Sequence, residues 1–113
     1  MTTTRVAVLT ATDELAVEEV EMLAPGPRDV VVRVGASGLC HSDLSVLNGS
    51  SPVPPPLILG HEGAGTVEWV GAEVSRVAVG ERVIASLSPV CGSCWHCARG
   101  ETHLCEQTRA LRA

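Results

Sequence analysis

Four of the five cysteines lie close together in a pattern that is typical of metal binding. Their spacing is C-x2-C-x2-C-x7-C, at Cys91, Cys94, Cys97 and Cys105. Four thiolates spaced in this way can surround a tetrahedral zinc ion and leave no coordination position open, as in a structural zinc site. Iron–sulfur ferredoxins use other spacings for the last ligand, and the odd number of cysteines argues against disulfides. The spacing therefore predicts a structural zinc lobe over residues 89–106, in which His96 and His103 are expected to face solvent.

A second group of candidate ligands involves the fifth cysteine. His61 and Glu62 lie in the glycine-rich run GHEGAGTVEWVG, just before a strand-like segment, and Cys40 ends another such segment twenty-one residues earlier. If the two strands pair, Cys40 and His61 can hold a catalytic zinc that keeps one position open. Ser42 would then bring a hydroxyl to the site, and Asp43 is suited to hold the far nitrogen of His61. The alternative is a buried free cysteine and a structural histidine, and the spacing alone leaves both interpretations open.

The composition limits the class of protein and of partner. The 113 residues suffice for one domain and are 45% hydrophobic, which indicates a globular fold. The net charge of −5 and the lack of lysine argue against nucleic acid as a partner. No apolar run is long enough to cross a bilayer, and the first residues do not resemble a signal peptide. We therefore expect a cytoplasmic protein that does not bind membranes.

The candidate ligands have to be positioned by a mostly β domain. Apolar patterns predict strands over residues 5–10, 15–22, 30–37, 66–70 and 82–87. The valine run that opens the third of these segments is typical of a strand buried on both faces. A short helix is expected over residues 41–48, with Gly49 as its end, and the following SSPVPPP predicts a surface loop.

Three ordered segments resemble the medium-chain, zinc-dependent alcohol dehydrogenases. GLCHSD resembles the first zinc-ligand segment of that family, GHEGAGTVEWVG its zinc signature, and CGSCWHCARGETHLC its structural-zinc lobe. The resemblance implies a mostly β fold, a GroES-like, partly open β-barrel with a short helix and a zinc-binding lobe. It also implies oxidation of a small alcohol to an aldehyde or ketone by hydride transfer to NAD or NADP. The complete protein would be a homo-oligomer.

The resemblance assigns metal ligands to two sites. Cys40 and His61 would ligate a catalytic zinc, and Glu62 would lie next to the metal as an alternative ligand or an electrostatic neighbour. The structural zinc would be bound by the four clustered cysteines, Cys91, Cys94, Cys97 and Cys105.

The resemblance also assigns residues that handle protons and the cofactor. Ser42 would take the proton from the alcohol, and Asp43 would orient His61. His41 would lie near the cofactor phosphates or the proton exit. Some relatives carry a histidine five positions after the first zinc cysteine as the last proton relay, whereas this chain has Ser45 there.

Two parts of the family pattern are not found in these 113 residues. The third catalytic ligand and the dinucleotide-binding domain follow later in the family, so we expect residues 1–113 to form an incomplete GroES-like catalytic domain. The segment Gly63-Ala64-Gly65 is not a Rossmann fingerprint, because it lacks the third glycine and precedes a strand. The alternative interpretation is a catalytically inactive, zinc-stabilised GroES-like module or a truncated fragment.

Overall fold

The computed structural model describes residues 2–111, whose strands form two small antiparallel sheets. The strands are β1 (Thr3–Ala11), β2 (Glu14–Glu21), β3 (Val30–Gly38), β4 (Leu57–Ile58), β5 (Glu62–Val70) and β6 (Arg82–Ile84). The first sheet has the order β2-β1-β4 and the second the order β3-β5-β6. Within the described residues, neither sheet closes on its own first strand. The prediction of a mostly β, partly open fold is confirmed.

Four short helical segments complete the structure. They are α1 (His41–Leu47), α2 (Trp95–Ala98), a 3-10 turn (Thr102–Leu104) and α3 (Thr108–Leu111). The helix predicted over residues 41–48 is confirmed, and Gly49 follows it with a φ of 80°, which glycine adopts at little cost. The helical segments of the cysteine-rich region were not predicted, because they are too short to carry an apolar period.

Among the helices of residues 2–111, none combines the length and the apolar character that crossing a membrane requires.

The pairing of β3 with β5 brings the two candidate ligand segments together. The register places Gly38, the last residue of β3, opposite Glu62, the first residue of β5. Cys40 therefore lies two residues beyond one strand, and His61 lies immediately before its neighbour. The ladder shifts register twice, between Val31 and Val32 and between Val34 and Ala36, and the position of the two ligand residues depends on the in-step pairs that follow the second shift.

Most predicted strand boundaries agree with the structure to within two residues, and two differ by more. β5 begins at Glu62 instead of residue 66, because its glycines join the ladder. A Cβ on Gly65 would collide with the backbone of Arg33 in β3, so a glycine is required for this close approach. β6 ends at Ile84 instead of residue 87, although the Ala85 N–H still donates a hydrogen bond to the β5 backbone at 2.8 Å.

The apolar core is small. In the described part of the chain, the buried apolar side chains are Val8 and Leu9 of β1, Val67 of β5, and Cys105 of the cysteine-rich region. The prediction that the valine run of β3 is buried on both faces is wrong, since Val30 is 37% exposed and Val31 and Val32 are only half-buried. β3 is an edge strand of an open sheet and has one neighbouring strand.

Candidate functional site

Three potential metal ligands converge where β3 ends and β5 begins. The Cys40 Sγ, a ring nitrogen of His61 and a carboxylate oxygen of Glu62 all lie within 4.8 Å of one another. With Ile84 and Leu87, these residues line an open cavity of about 400 Å³. Thiolate, imidazole and carboxylate are all zinc ligands, and three of them leave a position for a further ligand. The donor set therefore fits an open, catalytic type of zinc site.

Asp43 contacts two of the three ligand residues. Its Oδ2 accepts a hydrogen bond from the Cys40 backbone N–H at 3.0 Å, and its Oδ1 lies 3.3 Å from the His61 Nδ1. The Asp43 side chain is only 12% exposed and the His61 side chain 21%. With Nδ1 facing a carboxylate, the imidazole presents Nε2 as the free ligand atom, which is the usual support of a metal-binding histidine.

The contact with Cys40 was missed by the sequence reasoning. Cys40 is the N-cap residue of α1 and Asp43 its third helical residue, so the carboxylate reaches back to the backbone N–H of the cap. The spacing C-x-x-D immediately before an apolar period is the signal that could have revealed this capping interaction.

Hydrogen bonds shift the proton affinities of Cys40 and His61 in opposite directions. The hydroxyl and the backbone N–H of Ser42, together with His61, lower the pKa of the Cys40 thiol. The hydrogen bond with Cys40 is the largest effect and raises the pKa of His61; desolvation opposes it, and the nearby charge of Asp43 adds a smaller increase. The thiolate is the form of cysteine that ligates metals, so this environment favours the ligand form of Cys40.

The remaining candidate residues lie on the first turns of α1. The Ser42 Oγ is 3.4 Å from the His61 Nε2, so this hydroxyl lies on the ligand side of the imidazole. The His41 Nδ1 lies instead 3.5 Å from the Ser45 Oγ, one helical turn later, and this hydroxyl also donates to the His41 carbonyl oxygen at 3.2 Å. The structure thus places Ser42 at the cluster and directs the His41 ring towards Ser45.

The four clustered cysteines form a second group of ligand atoms. All four Sγ atoms lie within 4.8 Å of one another, with 4.0 Å between those of Cys91 and Cys97. The backbone N–H of Cys94 donates to the Cys91 Sγ at 3.2 Å, and that of Cys91 donates to the Cys105 Sγ at 3.4 Å. Four sulfurs with backbone donors around them fit a closed, structural type of zinc site.

The thiols of this group differ in acidity. Backbone N–H groups of Ser93 and Cys94 lower the pKa of Cys91 to about 6. Burial raises the pKa of Cys97 to about 12. At neutral pH and without metal, Cys91 is therefore a thiolate and Cys97 a thiol, so that metal binding has to release the Cys97 proton.

The two histidines of the lobe lie apart from the sulfur cluster. The His96 Nδ1 pairs with the Glu101 Oε2 at 3.2 Å, and His103 is exposed in the 3-10 turn. The structure also stacks the Arg99 guanidinium 4.4 Å from the centroid of the Trp95 ring, a contact that the sequence did not indicate.

Similarity to known proteins agrees with this geometry. Residues 26–112 match the alcohol dehydrogenase GroES-like domain. The S-(hydroxymethyl)glutathione dehydrogenase of Aspergillus oryzae is 46% identical over 103 residues, which are 90% of this chain and 27% of the relative.

Solved structures show the same fold. The alcohol dehydrogenase zinc-binding domain protein of Burkholderia ambifaria is 42% identical with a TM-score of 0.87, over 97% of this chain and 30% of that one. A protein of Sinorhizobium meliloti 1021, assigned as a zinc-binding dehydrogenase and bound to NADP, is 34% identical with a TM-score of 0.75. The match covers 94% of this chain and 31% of that one. The chain thus spans less than a third of the length of these relatives. It belongs to the medium-chain, zinc-dependent alcohol dehydrogenase family, and it corresponds to the N-terminal, GroES-like portion of that family's catalytic domain.

Proposed function

We propose that this chain is the metal-binding part of an alcohol dehydrogenase that oxidises an alcohol to an aldehyde or ketone, with hydride transfer to NAD or NADP. The observation that carries the proposal is the convergence of Cys40, His61 and Glu62 within 4.8 Å, with the second nitrogen of His61 facing Asp43. The relatives support it, since they include an S-(hydroxymethyl)glutathione dehydrogenase, an alcohol dehydrogenase zinc-binding domain protein and a zinc-binding dehydrogenase. The NADP bound to the Sinorhizobium meliloti protein supports a nicotinamide cofactor, held by a separate dinucleotide-binding domain.

The first task of the chain is to hold a zinc ion next to the substrate cavity. Cys40 and His61 would be ligands, and Glu62 would be an alternative ligand or a neighbouring charge. When bound there, zinc would supply a Lewis acid that makes an alcohol hydroxyl more acidic. Asp43 keeps the His61 ring in one orientation, so that Nε2 faces the ligand cluster.

The second task is to remove the hydroxyl proton of the alcohol. The Ser42 Oγ lies on the ligand side of His61, at 3.4 Å from Nε2. A serine hydroxyl can accept one hydrogen bond while it donates another, so Ser42 can take this proton and pass it to water. His41 presents its other ring nitrogen, Nε2, as a donor for a cofactor phosphate or as a group for proton exchange, since Nδ1 faces Ser45.

The four-cysteine lobe has a structural role in this proposal. It would hold a second zinc in a closed shell of four thiolates, which ties residues 89–106 into one unit. Folding of such a lobe is coupled to its metal, because the ligand set is assembled only in the folded lobe and the free energy of metal binding therefore adds to that of folding.

The first test is the zinc content of the purified chain, measured by elemental analysis per mole of protein. Two zinc ions are expected, of which Cys94→Ser removes one and Cys40→Ser removes the other. A single zinc that survives Cys40→Ser contradicts a catalytic site and favours an inactive, zinc-stabilised module. The second test is formation of NADH or NADPH that depends on an alcohol, once the chain is combined with a dinucleotide-binding domain. No turnover with both zinc sites filled contradicts the enzymatic proposal.

A further inference from the structure

The side chain of Glu62 lies across the end of strand β3, on the residue that pairs with it. Gly38 and Glu62 are direct partners in the antiparallel ladder. A Cβ built on Gly38 would overlap the Glu62 Oε2 and lie 3.3 Å from both the Cβ and the Cδ of Glu62. The Glu62 side chain therefore fills the space that any other residue at position 38 would need.

The backbone of Gly38 does not by itself require glycine. The glycines with positive φ are Gly49, Gly60, Gly80, Gly92 and Gly100, and Gly38 is not among these. What distinguishes Gly38 is the close approach of a carboxylate side chain, which is one of the recurrent reasons for glycine within a strand.

We propose that Gly38 is a positioning residue for Glu62, because the missing side chain lets the carboxylate fold across the strand end to the Cys40 thiol and the His61 ring, where it serves as an alternative ligand of the catalytic metal. This inference rests on the function proposed above and identifies the feature that decides the position of Glu62. It makes Gly38 a residue of the metal site although it contributes no ligand atom.

The physical reason lies in the geometry of the pair. Residues directly opposite on antiparallel strands project from the same face with Cβ atoms about 5 Å apart, so two side chains there stand side by side. Glu62 is solvent-exposed, and burial does not hold its side chain in place. At Gly38 there is no neighbouring side chain, and the Glu62 carboxylate can lie flat over the strand towards Cys40.

An alanine at position 38 changes this arrangement in a defined way. Its Cβ would overlap the Glu62 Oε2 and crowd the Cβ and Cδ of Glu62 at 3.3 Å. Because Oε2 is the end of a flexible side chain, the carboxylate turns away from β3, while the Cβ and Cδ need to shift by only a few tenths of an ångström. Because Glu62 is already exposed, solvent is the space open to it, and the carboxylate leaves the other two ligands.

Cobalt binding tests the proposal on the full chain without enzymatic activity. One equivalent of Zn²⁺ first fills the four-cysteine lobe, and Co²⁺ is then titrated while its visible absorption reports the second site. We expect Gly38→Ala and Glu62→Ala each to weaken cobalt binding about ten- to hundredfold. The double variant should bind no more weakly than Glu62→Ala, because the alanine at position 38 then has no carboxylate to displace.

Gly35→Ala is the matched control, since it adds the same methyl group to the same strand. The nearest atom to a Cβ at Gly35 is the Ala64 carbonyl oxygen at 3.8 Å, an ordinary contact. This variant should bind cobalt as the parent chain does. Thermal unfolding of the parent chain, Gly38→Ala, Glu62→Ala and the double variant gives a second readout. The Gly38→Ala substitution should lower the melting temperature less in the Glu62→Ala variant than in the parent chain.

Several outcomes overturn the inference. If Glu62→Ala weakens cobalt binding and Gly38→Ala does not, Gly38 does not position the carboxylate, while the proposed function stands. If the two effects add in the double variant, Gly38 acts through another contact. If Glu62→Ala binds cobalt as tightly as the parent, Glu62 is not a ligand. A parent chain that takes up no second metal ion overturns the proposed metal site itself, and this inference with it.

Discussion

Replacing Asp43 by alanine removes the one carboxylate that joins both ligand-bearing segments. Its Oδ2 accepts the Cys40 N–H at 3.0 Å, its Oδ1 lies 3.3 Å from the His61 Nδ1, and its side chain is 12% exposed. Losing a capping interaction costs about 0.5–2 kcal/mol, and a hydrogen bond to a charged group contributes about 1.5–3 kcal/mol. The second contact is long, so we expect the free energy of unfolding to fall by about 2 kcal/mol in total. For a domain of this size the melting temperature then falls by about 8 °C.

The same substitution should affect the two metal sites unequally. Loss of the carboxylate that orients a ligand histidine weakens metal binding about ten- to hundredfold. The four-cysteine lobe contains no contact with Asp43 among those the structure describes, and its zinc is an internal reference. Competition with a chromophoric chelator measures both affinities in one sample, and calorimetric melting measures stability.

Asp43→Asn is the matched control for this prediction. Its amide oxygen can still accept the Cys40 N–H, but its amide nitrogen would then face the His61 Nδ1–H, donor against donor. We expect Asp43→Asn to keep most of the stability and to lose metal affinity at the Cys40 and His61 site. Equal zinc loss from the two sites in Asp43→Ala, or a melting temperature unchanged from the parent, would refute the reasoning that Asp43 holds the two segments together.

The remaining predictions concern other parts of the structure. In the metal-free chain, Ser42→Ala should raise the pKa of Cys40 and therefore slow its alkylation by iodoacetamide at a fixed neutral pH, as followed by mass spectrometry. Zinc binding to the lobe at neutral pH should release the proton of Cys97. Cys91 should release none, because its pKa of about 6 makes it a thiolate already. Calorimetry in buffers of different ionisation enthalpy measures the number of protons released. The affinity of the lobe for zinc should fall further below pH 6, where Cys91 also becomes protonated. Val67→Ala removes two methyl groups from a side chain that is 1% exposed and should cost about 2 kcal/mol, measured by urea denaturation.

The sequence by itself determined the ligand chemistry. The C-x2-C-x2-C-x7-C spacing lies within fifteen residues, so the sulfurs of the lobe have little freedom to be anywhere but near one another. Local patterns likewise predicted α1 and five of the six described strands, because alternation and capping residues are properties of neighbouring positions; the two-residue strand β4 was not predicted. The same local patterns misjudged β3, whose valines look buried in the sequence and are partly exposed, since the position of a strand within its sheet is not a local property.

Only the tertiary structure decided that Cys40, His61 and Glu62 meet. Cys40 is separated from His61 and Glu62 by about twenty residues of chain. Their approach depends on the β3–β5 register that places Gly38 opposite Glu62. A shift of that register by one residue would turn the Glu62 side chain to the other face of the sheet. The double contact of Asp43 and the carboxylate lying over Gly38 belong to the same class of features. These contacts join backbone segments that are distant in sequence and close in space. A sequence pattern can identify the residues involved, but it does not specify the distances between them.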